Sequence, residues 1–184
     1  TGTLDVNDRF GYAVAGIGDL DNDGNEDIAV GALLDDDGGN GRGACWILFM
    51  NSDGTVASHQ KISDTDGGFS GVLQDTDNLG SGVAGLGDLD GDGTEDIAVS
   101  AYLDDDGATN AGAVYIMFLN SSGTVSSYQK ISNTAGGFTG SLGADEYFGD
   151  GMANMGDLDG DGITDLTVGE SWDGDGGAGK GSVW

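Results

Sequence analysis

Apolar residues along this chain come in short runs, each closed by glycine or aspartate within a few positions. Asp27 to Leu33 reads DIAVGAL, Ala44 to Met50 reads ACWILFM, and Ala113 to Leu119 reads AVYIMFL. Such unbroken runs predict β-strands covered on both faces. Gly clusters follow too soon for helices. Tyr12 to Ile17 predicts a strand before them. The more polar Ala57 to Ser63 (ASHQKIS) and Ser126 to Ser132 (SSYQKIS) predict an outer strand, entered through hairpin turns at Asn51–Gly54 and Asn120–Gly123. Within the second strand, Ile28 and Val30 alternate with Ala29 and Gly31, and Ile97 and Val99 with Ala98 and Ser100. One face is large and the other small, as expected where sheets pack closely.

This four-strand pattern repeats. Asp19, Asp88 and Asp157 mark a period of 69 residues, and residues 10–78 match 79–147 at 41 positions without a gap. The expected fold is all-β: tandem four-stranded sheets of β-propeller type. A linear stack of β-units is the alternative. The chain, 1–184, reads as one repeat array with units 10–78, 79–147 and an incomplete 148–184, so fewer than three are complete. Residues 1–9 read as the tail of a preceding unit. Propellers close with about four to eight blades. The expectation is therefore a longer parent chain, or assembly with other copies; starting at Thr1 without Met, the chain reads as processed or as a fragment.

Charge narrows the function. There are 33 acidic residues against 5 basic ones, a net charge of −28, so nucleic acid and anionic membranes are excluded as partners. Either bound cations or a well-solvated acidic surface must offset the self-repulsion. No segment approaches a membrane span, and one cysteine rules out a disulfide framework within the chain.

The acids are not scattered. GDLDNDGNEDIAV, GDLDGDGTEDIAV and GDLDGDGITDLTV place carboxylates at loop positions 1, 3, 5 and 9. These are Asp19, Asp21, Asp23 and Asp27; Asp88, Asp90, Asp92 and Asp96; and Asp157, Asp159, Asp161 and Asp165. Alternate residues of a tight loop can aim oxygens at one centre, and Ca²⁺ takes about 6–8 of them. Gly24, Gly93 and Gly162 permit the sharp turn. Position 7 would contribute only its backbone carbonyl, which accounts for Asn25, Thr94 and Ile163 there. Position 12 is a strand valine, so these are not EF-hands, and without His or Cys they do not suit transition metals. Three Ca²⁺ sites are expected.

The pattern resembles FG-GAP repeats, found in integrin α-subunit propellers and many bacterial surface proteins. The FG element stands as Phe10-Gly11 and Phe148-Gly149, with Leu79 departing from it. The GAP element survives as Gly31-Ala32, Ser100-Ala101 and Gly169-Glu170, without proline. GACW, GAVY and GSVW are similar to the strand that follows in that family. The 69-residue period is longer than an ordinary propeller unit. The resemblance implies Ca²⁺ on the twelve aspartates, but no integrin ligand.

Other features read as structural. Asp35–Asp37 and Asp104–Asp106 are expected to be solvated loops, with a second cation as the alternative. Cys45 is read as core and His59 as surface packing. Trp46, Tyr115 and Trp184 share one strand position and read as sheet packing, and Trp172 as core or rim rather than a sugar platform. One His, one Cys and no Gly-x-Ser-x-Gly elbow leave no hydrolase constellation. The expectation is a non-enzymatic, extracellular or cell-surface module, structural and adhesive, stabilised by Ca²⁺ and assembling with further blades or copies, even into a fibre. A lectin-like module with a glycan ligand, an extracellular protein ligand, and a non-catalytic appendage of a larger secreted enzyme are the alternatives.

Overall fold

A computed structural model describes residues 3–174 and 179–184. It is all-β, with eleven strands in three antiparallel sheets. The first sheet is a meander of β1 (Phe10–Gly18), β2 (Asp27–Ala32), β3 (Ala44–Met50) and β4 (Val56–Ser63). The second repeats it with β5 (Leu79–Gly87), β6 (Asp96–Ala101), β7 (Ala113–Leu119) and β8 (Val125–Ile131). The third holds β9 (Phe148–Gly156), β10 (Asp165–Glu170) and the short β11 (Ser182–Val183). Among the described residues the three sheets form no closed barrel.

The first strand of each sheet starts earlier than its apolar run suggests, because it opens on a bulge. β1 pairs Phe10 with Ala32 and then resumes at Val14 with Val30, while Gly11 sits at φ +92°. The expected hairpin turns form where the sequence places them. Asn51 donates to Thr55 O and Gly54 to Asn51 O, with Gly54 at φ +81°; Asn120 and Gly123 repeat the geometry.

Two-residue alternation divides the side chains between layers. From β3, Cys45, Ile47 and Phe49 enter the core between the first and second sheets, where Ile97, Val99, Tyr115 and Met117 meet them. Trp46 and Leu48 point the other way, with Ile28, Val30 and Ala32. Ala84, Leu86, Ala98, Val114 and Ile116 form the next layer with Phe148, Leu166 and Val168 of the third sheet.

The small faces let backbones touch. A Cβ on Gly31 would overlap the carbonyl of Gly80, and one on Gly85 would lie 2.6 Å from Gly16 O. Between the second and third sheets, a Cβ on Gly82 would lie 2.9 Å from Gly149 O. At the position matching Gly16 and Gly85 the third sheet has Asn154, whose Nδ2 donates to Gly85 O at 2.7 Å.

Candidate metal centres

Each of the three sheets carries its Asp-rich loop between its first two strands. In the first loop, Asp19 Oδ1 accepts from Asp23 N (2.9 Å) and Oδ2 from Gly24 N (2.9 Å). Asp23 Oδ1 accepts from Asn25 N at 2.8 Å. Gly24, Gly93 and Gly162 all sit near φ +90°, the left-handed region that glycine enters without strain. The second loop repeats the bonds, Asp88 with Gly93 N and Asp92 with Thr94 N. So does the third, Asp157 with Gly162 N and Asp161 with Ile163 N.

The position-9 aspartate begins the second strand and ties the loop to the sheet. Asp27 is fully buried; its carboxylate accepts from Leu20 N at 3.0 Å and from Met50 N, at the end of β3, at 2.9 Å. Asp96 does the same with Leu89 N and Leu119 N. Burial pushes both carboxyls above their ordinary range, and Asp21 and Asp90 respectively push in the same direction, while the backbone N–H groups pull back. Asp165 accepts from Leu158 N at 2.7 Å.

These bonds bring oxygens of positions 1, 3 and 9 within 4.8 Å of one another in all three loops: Asp19, Asp21 and Asp27; Asp88, Asp90 and Asp96; Asp157, Asp159 and Asp165. The position-5 carboxylates of Asp23, Asp92 and Asp161 stand outside these groups, engaged with the backbone N–H of Asn25, Thr94 and Ile163. Position 1 is bound by backbone N–H too, yet remains in the group. Crowded carboxylates suit a hard cation, and the donor set is all oxygen.

The acidic runs differ from expectation. Asp35 and Asp104 are each only 2% exposed. Lys61 Nζ lies 2.6 Å from Asp35 and 2.7 Å from Asp37, over the ring of Trp46. Lys130 lies 2.9 Å from Asp104 and 3.2 Å from Asp106, over Tyr115. Ser63 and Ser132 complete the two networks. Only the middle residues, Asp36 and Asp105, are exposed. The signal was available: Lys61 and Lys130 are two of only five basic residues and stand one period apart.

Cys45 is buried, and its thiol is pushed up to about 12 by burial, as befits an inert core residue. His59 rests on Trp46 with ring centroids 5.3 Å apart. Trp184 packs edge-on against Phe138. Trp172 is 62% exposed, so it is not a core residue.

Comparison with known proteins follows the same lines. Residues 79–117 match the FG-GAP repeat model. Integrin alpha-5 of Xenopus laevis is 34% identical over 165 residues, 87% of this chain and 14% of that protein. Integrin alpha-2 of Mus musculus is 33% identical over 126 residues, 66% of this chain and 9% of that protein. Integrin alpha pat-2 of Caenorhabditis elegans is 38% identical over 95 residues, 51% of this chain and 7% of that protein. The chain thus spans a small fraction of the length of these relatives. Its period, its sheets and these matches agree: the chain carries FG-GAP repeats similar to those of integrin α-subunits.

Proposed function

We propose that this chain is an extracellular or cell-surface structural and adhesive module, stabilised by Ca²⁺ in its three hairpin loops and docking against further sheets. The observation that carries the reading is the recurrence of one three-carboxylate arrangement, within 4.8 Å, in every sheet. In each loop the aspartates at positions 1, 3, 5 and 9 and the carbonyl at position 7 would hold the ion. The ion would neutralise carboxylates that otherwise repel one another across the turn. Docking has its own support. On the outward face of the first sheet Phe10 is 40% and Val14 60% exposed, over the buried Val30 and Trp46. An apolar face of this kind is what another sheet covers, whether from the same chain or from a second copy.

Extracellular sites commonly bind Ca²⁺ at roughly 10⁻⁴–10⁻³ M. At ~1 mM Ca²⁺, three such sites add roughly 1–4 kcal/mol by mass action. Unfolding in Ca²⁺ and in excess EDTA tests this, and the midpoint should fall clearly on chelation. Asp90→Ala should cost about 1–2 kcal/mol in Ca²⁺, and Asp105→Ala, at an exposed carboxylate, less than about 1. An unchanged midpoint in EDTA, or equal effects of the two substitutions, refutes the metal assignment.

A further inference from the structure

The third sheet holds a carboxylate cluster that the first two lack. Counting by the 69-residue period, Glu146 stands where Asp8 and Asp77 stand, and Asp173 where Asp35 and Asp104 stand. Glu170, however, stands where the first two sheets have Ala32 and Ala101. It is a third carboxylate added at the end of β10, and it is only 1% exposed. Oxygens of Glu146, Glu170 and Asp173 lie within 4.8 Å of one another.

A second observation is independent of the clustering. Glu170 Oε2 accepts from Ser182 Oγ and from Trp184 Nε1, each at 2.7 Å. Its Oε1 is equally buried and has no hydrogen-bond partner among the described residues. A buried carboxylate oxygen without a partner is strongly unfavourable, and folded proteins satisfy such atoms. Glu146 is fixed beside it, accepting from the backbone N–H of Gly143 and of Gly174.

We propose that Glu146, Glu170 and Asp173 bind a divalent cation of the hard, oxygen-preferring class, Ca²⁺ foremost, at a site separate from the hairpin loops. The ligand chemistry is all carboxylate, which excludes soft metals. A single ammonium, of the kind Lys61 and Lys130 provide, matches a pair of carboxylates; three with oxygens within 4.8 Å of one another suit two positive charges. The site lies five residues along β10 from the loop aspartate Asp165, roughly 17 Å at strand rise, so one ion cannot serve both. A proton shared between Glu146 and Glu170 is the competing occupant.

Trp184 touches Glu170, so Tb³⁺ bound here would be excited through tryptophan. The experiment measures bound Ca²⁺ by equilibrium dialysis and tryptophan-sensitised Tb³⁺ emission, on the parent chain and on Glu170→Gln and Glu146→Gln. Each variant should bind one Ca²⁺ fewer than the parent and lose most of the sensitised emission, with far-UV circular dichroism unchanged. The count is a difference from the parent, so it reads this site whatever the hairpin loops hold. Glu146→Gln, at a half-buried position, keeps the test open should Glu170→Gln fail to fold. An unchanged count and unchanged emission in folded Glu146→Gln overturns the proposal and leaves the shared proton.

Discussion

Burial turns several acids of this chain from solvated charges into parts of the interior, and Asp77 is the clearest. It is 2% exposed, with its carboxylate accepting from Gln74 N at 2.7 Å. Burial first, then repulsion from Asp104 and Asp105, pushes its carboxyl up to about 7, against the pull of that backbone bond and of Lys130. The ordinary value is 3.8, so the folded chain holds this proton where the unfolded chain has released it. Its contribution to stability is complete below about pH 4 and is lost as pH rises through about 7. Asp77→Asn keeps an acceptor for Gln74 and removes the titration. Its stability relative to the parent should rise from pH 5 to about pH 7 and level off above, measured by urea unfolding in saturating Ca²⁺. Parallel curves for the two chains would show that Asp77 does not titrate in this range.

At the level of strands and loops, much was legible. Runs such as ACWILFM and AVYIMFL gave β3 and β7 with their bounds intact, because strands covered on both faces have no polar positions to blur them. The loops were legible because carboxylate spacing and glycine position are set by local geometry. What stayed hidden depends on contacts between distant residues. Asp35 is 26 residues from Lys61, and nothing local in DDDGG announces that its first aspartate is buried and its second exposed. The Glu170 cluster was hidden likewise, because it joins Glu146 to Glu170 and Asp173 on a separate segment. The sheet contacts belong to this scale also. Gly80 sits at φ +89° and a Cβ there would run into Ala44 O, whereas Gly54 sits at φ +81° with open space around it. Gly54→Ala should cost about 1 kcal/mol, the strain of the backbone alone. Gly80→Ala should cost about 3 kcal/mol or more, since overlap with a neighbouring strand adds to the same strain. Comparable losses in denaturant unfolding would mean that the backbones are not in tight contact.

For the whole molecule the dominant quantity is a net charge of −28 on 184 residues. Repulsion among exposed acids is long-ranged and screened by salt, with a Debye length of about 8 Å at 0.15 M and about 3 Å at 1 M. On the proposed reading, the crowded loop carboxylates are instead neutralised by an ion within the loop itself. The two remedies separate experimentally. In EDTA, the unfolding midpoint should rise with NaCl as general repulsion is screened. Millimolar Ca²⁺ should raise it further at fixed ionic strength, and millimolar Mg²⁺ should do so less, since Mg²⁺ sheds its water reluctantly. If Ca²⁺ and Mg²⁺ act alike, screening alone explains the acidity.

Between the apolar layers, the sheets approach most closely at small residues one period apart: Gly31 on Gly80, then Ser100 on Gly149; Gly16 on Gly85, then the Asn154 side chain on Gly85 O. Such close approaches ask for a small residue rather than for a particular one. Any unit that preserves the period and the small residues presents the same socket to its successor and the same plug to its predecessor. Arrays built this way can lengthen by duplication without inventing a new joint, and their outward strands and loops are free to diverge while the joint stays the same.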